Sequence, residues 1–186
     1  ERMAVEQAEP LLRSIVDDPN IPALEKLHQY FQMSSRWKTS KKALVTELVK
    51  VWYSDDNALV RQKMLARTVE RMSPFFTEII KQGMQEGAFT TPYPEVAGQV
   101  TINLIYDLAF DSGQMFISED IKEIENLQKV QSLYAAYSDV LERILGAPKG
   151  SIQLMTAEAL EIWFSSDDAP VNETFFEETN LSASPQ

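Results

Sequence analysis

The stretch FFTEIIKQGMQEGAFTTPYP, residues 75–94, carries two glycines near the end of an apolar helical pattern. Phe76 and Ile79 share one helical face, and Gly83 lies on the same stripe. A glycine there costs about 1 kcal/mol relative to alanine. The missing side chain predicts either close approach of a neighbouring helix or ligand, or only a fraying helix end.

The second glycine, Gly87, stands where a helix end favours a left-handed residue. Phe89 follows two residues later and can fold back on the last helical turn. Pro94 occupies the first-turn position that proline favours, so it predicts the start of the next helix. This stretch therefore predicts a helix, a tight turn and a second helix.

Apolar residues recur with helical spacing along the chain, and no segment shows a convincing strand alternation. Glycines and prolines mark the breaks between segments. We predict an all-α fold of seven or eight helices, over about residues 1–16, from 22 onward, 41–53, from 54–57 to 86, 94–116, 119–145 and 156–164.

Two local features of the long fourth helix carry predictions of their own. Ser54, Asp55, Asp56 and Asn57 have short oxygen-bearing side chains that can accept hydrogen bonds from the first amides of a helix. Pro74 removes a hydrogen bond within that helix, so we expect a kink or break near Ser73.

The chain has 186 residues and a net charge of -11, which suits one domain and disfavours binding to phosphate backbones. Seven acidic and no basic residues follow Lys149. We predict one domain over residues 1–165 and an acidic C-terminal tail over 166–186, either solvated or loosely docked.

Residues that carry catalytic or metal chemistry are scarce. There is no cysteine, and His28, the one histidine, is expected on the polar side of its helix. No phosphate loop, dinucleotide fingerprint or metal-ligand spacing is present. We therefore predict a protein that is not an enzyme, needs no metal or cofactor, does not enter the membrane and works in the cytoplasm.

The last two long helices are more apolar than a single core contact requires, so we predict that they form a homodimeric four-helix bundle. Their repeated steps of three and four resemble a coiled-coil seam. The alternative is that both faces are buried within one subunit. The interface candidates are Val100, Leu104, Leu108, Leu127, Val130, Tyr134, Tyr137, Leu141 and Ile144.

The order of these motifs resembles the effector-binding C-terminal domain of the TetR (tetracycline repressor) family. The opening stretch matches its core, and LVKVWYSDDNALVRQKM (48–64) and ERILGAPKGSIQLM (142–155) fit on either side. The resemblance covers roughly residues 1–165. It implies the dimer predicted above, as part of a transcriptional regulator.

Family members carry a helix-turn-helix DNA-binding domain before this region, and the sequence begins without one. We expect residues 1–4 to start the helix that links such a domain to the effector domain. DNA would then be a partner only through that missing N-terminal domain, and this chain would be a fragment or processed form.

The resemblance implies a small-molecule effector that changes the geometry of the DNA-binding domains. Large apolar side chains between about residues 22 and 116 suggest an apolar or aromatic effector, although each of them could serve core packing alone. The candidates are Phe31, Trp37, Trp52, Met64, Met72, Phe75, Phe76 and Tyr106.

Asn103, Asp107 and Asp111 share one face of an otherwise apolar helix. If that face meets solvent, these three residues are surface residues without a role in ligand binding. If it lines the pocket, Asn103 and Asp107 bind ligand, and the Asp107 carboxylate needs a cationic or hydrogen-bond-donating ligand.

A second function remains open from the sequence. The chain could be a stand-alone dimeric helical module that binds partner proteins without DNA. The acidic tail would then serve as a contact surface.

Overall fold

The computed structural model describes residues 2–117 and 123–164 of the chain. The described part is all-helical and contains no strand, which confirms the predicted fold class. The predicted acidic tail lies outside the described residues. The elements are α1 (Arg2–Asp17), α2 (Ala23–Ser40), α3 (Lys42–Trp52), a 3-10 turn (Asp55–Asn57), α4 (Ala58–Glu86), α5 (Pro94–Ile117), α6 (Glu123–Leu145) and α7 (Ala157–Phe164).

The core is formed where α2, α4, α5 and α6 meet, and α4 and α5 share the most extensive contact. Apolar residues at steps of three and four place one stripe of each helix inward. α1, α3 and α7 pack on the outside of this group. The largest fully buried apolar side chains are Leu12, Leu27, Phe76, Ile79, Ile80, Phe89, Ile102, Val130, Leu141 and Leu145.

The turn from α4 to α5 is built by Phe89 lying against Gly83. A Cβ atom added to Gly83 would sit 2.1 Å from Cδ2 of the Phe89 ring, well inside contact distance. Gly87 has a left-handed φ of 76°, and the amide of Ala88 donates to the carbonyl of Gly83 at 2.8 Å. The predicted roles of Gly87 and Phe89 are confirmed, and the close neighbour of Gly83 is Phe89 of the same chain.

The residues after Phe89 close the end of a second helix. The amides of Thr90 and Thr91 both donate to the carbonyl of Leu145, at 2.9 and 3.1 Å. Leu145 ends α6, and carbonyls in a last helical turn lack partners within the helix. One turn therefore ends α4 and also satisfies the end of α6.

α4 continues through Pro74, so a break near Ser73 is wrong, whereas the alternative of a kink there stays a prediction. Proline removes only the amide that would bond to the carbonyl of Glu70. Pro74 and Glu70 are both exposed, so water can reach that carbonyl. The loss of one bond on the solvent side is tolerated because the opposite side of α4 is buried.

The polar residues before α4 cap α3 instead of α4. Asn57 makes no side-chain bond to the amides of α4. Its Nδ2 donates to the carbonyl of Val51 at 2.8 Å, and Oγ of Ser54 donates to the same carbonyl at 2.9 Å. The predicted N-cap is therefore corrected: Asn57 satisfies the C-terminal end of the preceding helix, where carbonyls are unpaired.

Side chains from two other helices hold α1. The buried ammonium of Lys26 donates to the carbonyl of Val16 in the last turn of α1. Arg13 pairs with Glu78 on α4 at 3.0 Å, and its guanidinium lies 4.2 Å from the ring centre of Phe75. α1 is thereby fixed to α2 at its end and to α4 along its side.

The contact at Gly83 predicts the result of two substitutions. Gly83→Ala should lower the free energy of unfolding by about 1–3 kcal/mol, because the added methyl group overlaps the Phe89 ring. Gly87→Asn is the matched control: its position faces open space, and asparagine tolerates the left-handed region. Urea unfolding followed by circular dichroism measures both, and an equal loss in the two variants would contradict the steric explanation.

Candidate functional site

A small cavity lies between α2, α5 and α6, next to the segment that joins α6 to α7. Its wall is mainly apolar, with polar groups contributed by α2. The lining residues are Tyr30, Phe31, Ser34, Ser35 and Lys38 on α2, Ile105, Leu108 and Ala109 on α5, Tyr134 on α6, and Leu154 and Met155 in the segment before α7.

The cavity has a volume of about 30 Å³, which is room for one or two water molecules. Sites that bind drug-sized ligands have volumes of roughly 300–1,000 Å³. A ligand of that size would therefore have to open the cavity by displacing side chains or the segment that carries Met155.

Two polar groups of α2 lack partners within the described structure. Lys38 lines the cavity, and no described carboxylate or carbonyl pairs with its ammonium group. Ser35 is 7% exposed, and its Oγ has no hydrogen-bond partner. Burial lowers the pKa of Lys38, because the charged ammonium loses hydration.

Tyr30 forms an aromatic corner beside the cavity. Its ring meets Phe31 edge-on at 5.4 Å and Phe76 at 4.9 Å between ring centres. Such edge-to-face pairs are favourable beyond the area that they bury. Burial raises the pKa of Tyr30, so its phenol stays neutral at physiological pH and can donate a hydrogen bond.

The segment between α6 and α7 is tied down just before it reaches the cavity. The buried carboxylate of Glu142 accepts hydrogen bonds from the amides of Gly150 and Ile152, both at 2.9 Å. His28 on α2 donates from Nε2 to the carbonyl of Ser151 at 2.8 Å. The prediction that His28 lies on the polar side of its helix is therefore wrong: the ring is half-buried and holds this segment.

Of the ten residues predicted to bind ligand, Phe31 lines this cavity. The others lie elsewhere in the described structure: Phe75 and Phe76 in the core, Met72 packed against the core, Trp52 and Met64 half-buried, and Trp37, Tyr106, Asn103 and Asp107 exposed.

Asp107 faces α6 and not the cavity. Its carboxylate accepts a hydrogen bond from the phenol of Tyr137 at 2.6 Å, and Asp111 accepts a longer one at 3.3 Å. Burial and these carboxylates raise the pKa of Tyr137. Asn103 is exposed and bonds to the Gln99 carbonyl of its own helix. Neither Asn103 nor Asp107 lines the cavity, and a cationic or hydrogen-bond-donating ligand at Asp107 stays a prediction.

The predicted interface residues divide into two groups. One group is already covered by its own chain: Leu108, Val130, Tyr134 and Leu141. The other group is partly exposed, although four of its members also pack against the core: Val100, Leu104, Leu127, Tyr137 and Ile144. A second copy could contact only the second group without rearrangement of the chain.

Lys38 and Ser35 were not among the residues predicted from the sequence to bind ligand. Lys38 lies three residues after Ser35 and seven after Phe31, so the three share one helical face. A lysine and a serine on the apolar face of α2 could have indicated a polar group in the binding site. This indication is weak, because a long lysine side chain usually reaches solvent from such a position.

The partial burial of Lys38 predicts a pH-dependent stability. Its pKa in the fold is below the ordinary 10.5, so between these two values the unfolded chain binds more protons. The free energy of unfolding should therefore rise with pH across this window, as the penalty for the buried charge is relieved. Lys38→Met should remove this rise and should be more stable than wild type below the window.

Urea unfolding at several pH values measures the effect of Lys38→Met. The control is Lys50→Met, which removes an exposed lysine paired with Glu47 at 3.0 Å. Wild type and Lys50→Met should show the same slope against pH. An equal slope in Lys38→Met would contradict a lowered pKa of Lys38.

Residues 2–117 and 123–164 support neither a metal site nor a membrane-spanning helix. No group of three or more metal-binding side chains is found among them. None of the described helices has the length and apolar character needed to span a bilayer.

Residues 41–121 match the family model described as Tetracyclin repressor-like, C-terminal domain. No curated protein and no solved structure matches the chain. The matched residues include α3, α4 and α5, hence the turn at Phe89 and one wall of the cavity. The match and the all-helical fold confirm the resemblance predicted from the sequence: residues 41–121 are similar to a tetracyclin repressor-like C-terminal domain.

Proposed function

We propose that this chain is the effector-binding and dimerisation domain of a transcriptional regulator. The family match over residues 41–121 is the observation that carries this proposal. A DNA-binding domain would be joined at the N-terminal side, and the regulator would act in the cytoplasm. The domain itself would perform no reaction and would need no cofactor.

The cavity between α2, α5 and α6 would receive a small effector with an apolar or aromatic body. Its walls are mostly apolar, and Tyr30 and Phe31 offer aromatic surface. Opening of the cavity would displace α2, because five of its lining residues belong to that helix. An effector shifts the domain only if it binds one arrangement more tightly than the other.

α1 would carry this displacement to the DNA-binding domain. Lys26 ties the end of α1 to α2, and Arg13 ties its side to Glu78 on α4. If α2 moved relative to α4, α1 could not keep both contacts unchanged, so its position or orientation would change. Coupling of this kind needs two distinct sites and two arrangements of the element between them.

The outer side of α5 and α6 would form the dimer interface. The bond between Tyr137 and Asp107 joins the two helices on this side. Val140 on α6 is 42% exposed, and Leu104 on α5 and Ile144 on α6 are partly exposed. Paired with a second copy, α5 and α6 would give a four-helix bundle.

Sedimentation of the purified chain tests the dimer. Wild type should sediment as a dimer, and Val140→Asp should raise the dimer dissociation constant at least about tenfold, because a carboxylate would be buried there. The control is Val51→Asp, which places the same charge at a 65% exposed position on α3. A monomeric wild type, or equal effects of the two substitutions, would overturn the proposed interface.

A second function is favoured by one observation on α3. Leu44, Leu48 and Val51 form an exposed apolar stripe, with exposed fractions of 53%, 54% and 65%. Such a stripe suits a helical module that binds a partner protein. In that case Leu48→Asp would abolish partner capture while Val140→Asp would leave it unchanged.

A further inference from the structure

Lys38 gives the cavity a positive charge that the described part of the chain does not neutralise. Loss of hydration is the one effect acting on its ammonium group, and no described carboxylate opposes it. Ser35 lies three residues earlier on the same helical face and is 7% exposed. Its hydroxyl also lacks a partner among the described residues.

This combination is unfavourable for an unliganded protein. Lys38 is half-buried, and an ammonium group partly removed from water without a counter-charge is less stable than a fully hydrated one. A buried hydroxyl without a hydrogen bond also destabilises the fold. One carboxylate can remedy both defects, because its two oxygens accept several hydrogen bonds and carry the opposite charge. Ser34 lines the same cavity and offers one more donor.

We propose that the cavity binds a small carboxylate with an apolar or aromatic body, and that Lys38 and Ser35 hold the carboxylate group. The body would pack against Phe31 and Leu108, which form the apolar wall. This inference rests on the proposed function and names the chemical class of its effector.

The segment before α7 offers a way for such a ligand to enter. Gly150 and Ile152 are fixed by Glu142, whereas Met155 follows these ties and lines the cavity. A methionine side chain has three rotatable bonds and adapts readily to a new neighbour. Displacement of Met155 would admit the ligand while the fixed part of the segment stays in place, and the body of the ligand would then displace α2.

Calorimetric titration with matched probes tests the proposal on the whole chain. The probes are benzoate against benzyl alcohol and octanoate against octanol, so each pair differs in charge with a similar body. At neutral pH, at least one carboxylate should bind wild type about tenfold more tightly than its alcohol, a difference of about 1.4 kcal/mol.

Three variants test whether Lys38 and Ser35 cause the preference for the carboxylate probe. Lys38→Met should abolish the preference for the carboxylate and retain binding of the alcohol. Lys38→Arg should keep the preference, because it retains the charge. Ser35→Ala should weaken carboxylate binding a few-fold. Lys50→Met is the control with the same change in net charge, and it should bind all four probes as wild type does.

Each other outcome has a defined meaning. Equal binding of carboxylate and alcohol by wild type, or equal losses in Lys38→Met and Lys50→Met, overturns the anion site and leaves an apolar effector site in place. Failure of all four probes to bind at millimolar concentration also overturns it. The proposed regulatory function fails by a separate measurement, the sedimentation of wild type as a monomer.

Discussion

The ring of Phe89 fills the space that a side chain at Gly83 would occupy, and the rest of the bundle depends on this contact. It fixes how closely the chain can turn from α4 into α5, the pair with the most extensive contact. The same turn brings the amides of Thr90 and Thr91 to the end of α6. One aromatic side chain thus sets the relation of three core helices.

Much of this fold could be predicted from the sequence, because helical periodicity and helix-ending residues act locally. Gly87 and Pro94 mark their helix ends by backbone preferences that no distant contact overrides. Pro74 misled the prediction, because its cost depends on whether the freed carbonyl reaches water. Asn57 misled it too: its side chain can cap the helix before it or the helix after it, and only the fold decides.

The candidate site was far less predictable than the fold. Phe75 and Phe76 are large and apolar in the way that pocket residues are, yet the same property places them in the core. What distinguishes the cavity is polar groups left without partners, as at Lys38 and Ser35. Whether a polar group finds a partner depends on which atoms meet in three dimensions. The spacing of residues along one helix does not predict this.

The ties at Glu142 and His28 have a consequence for how the domain can evolve. They hold the backbone at residues 150–152, and the cavity wall at Leu154 and Met155 begins only two residues later. Substitutions at Met155 can therefore accumulate without releasing the backbone that is held at residues 150–152. Duplicated descendants of this domain could diverge in the molecules that they recognise while inheriting the same scaffold.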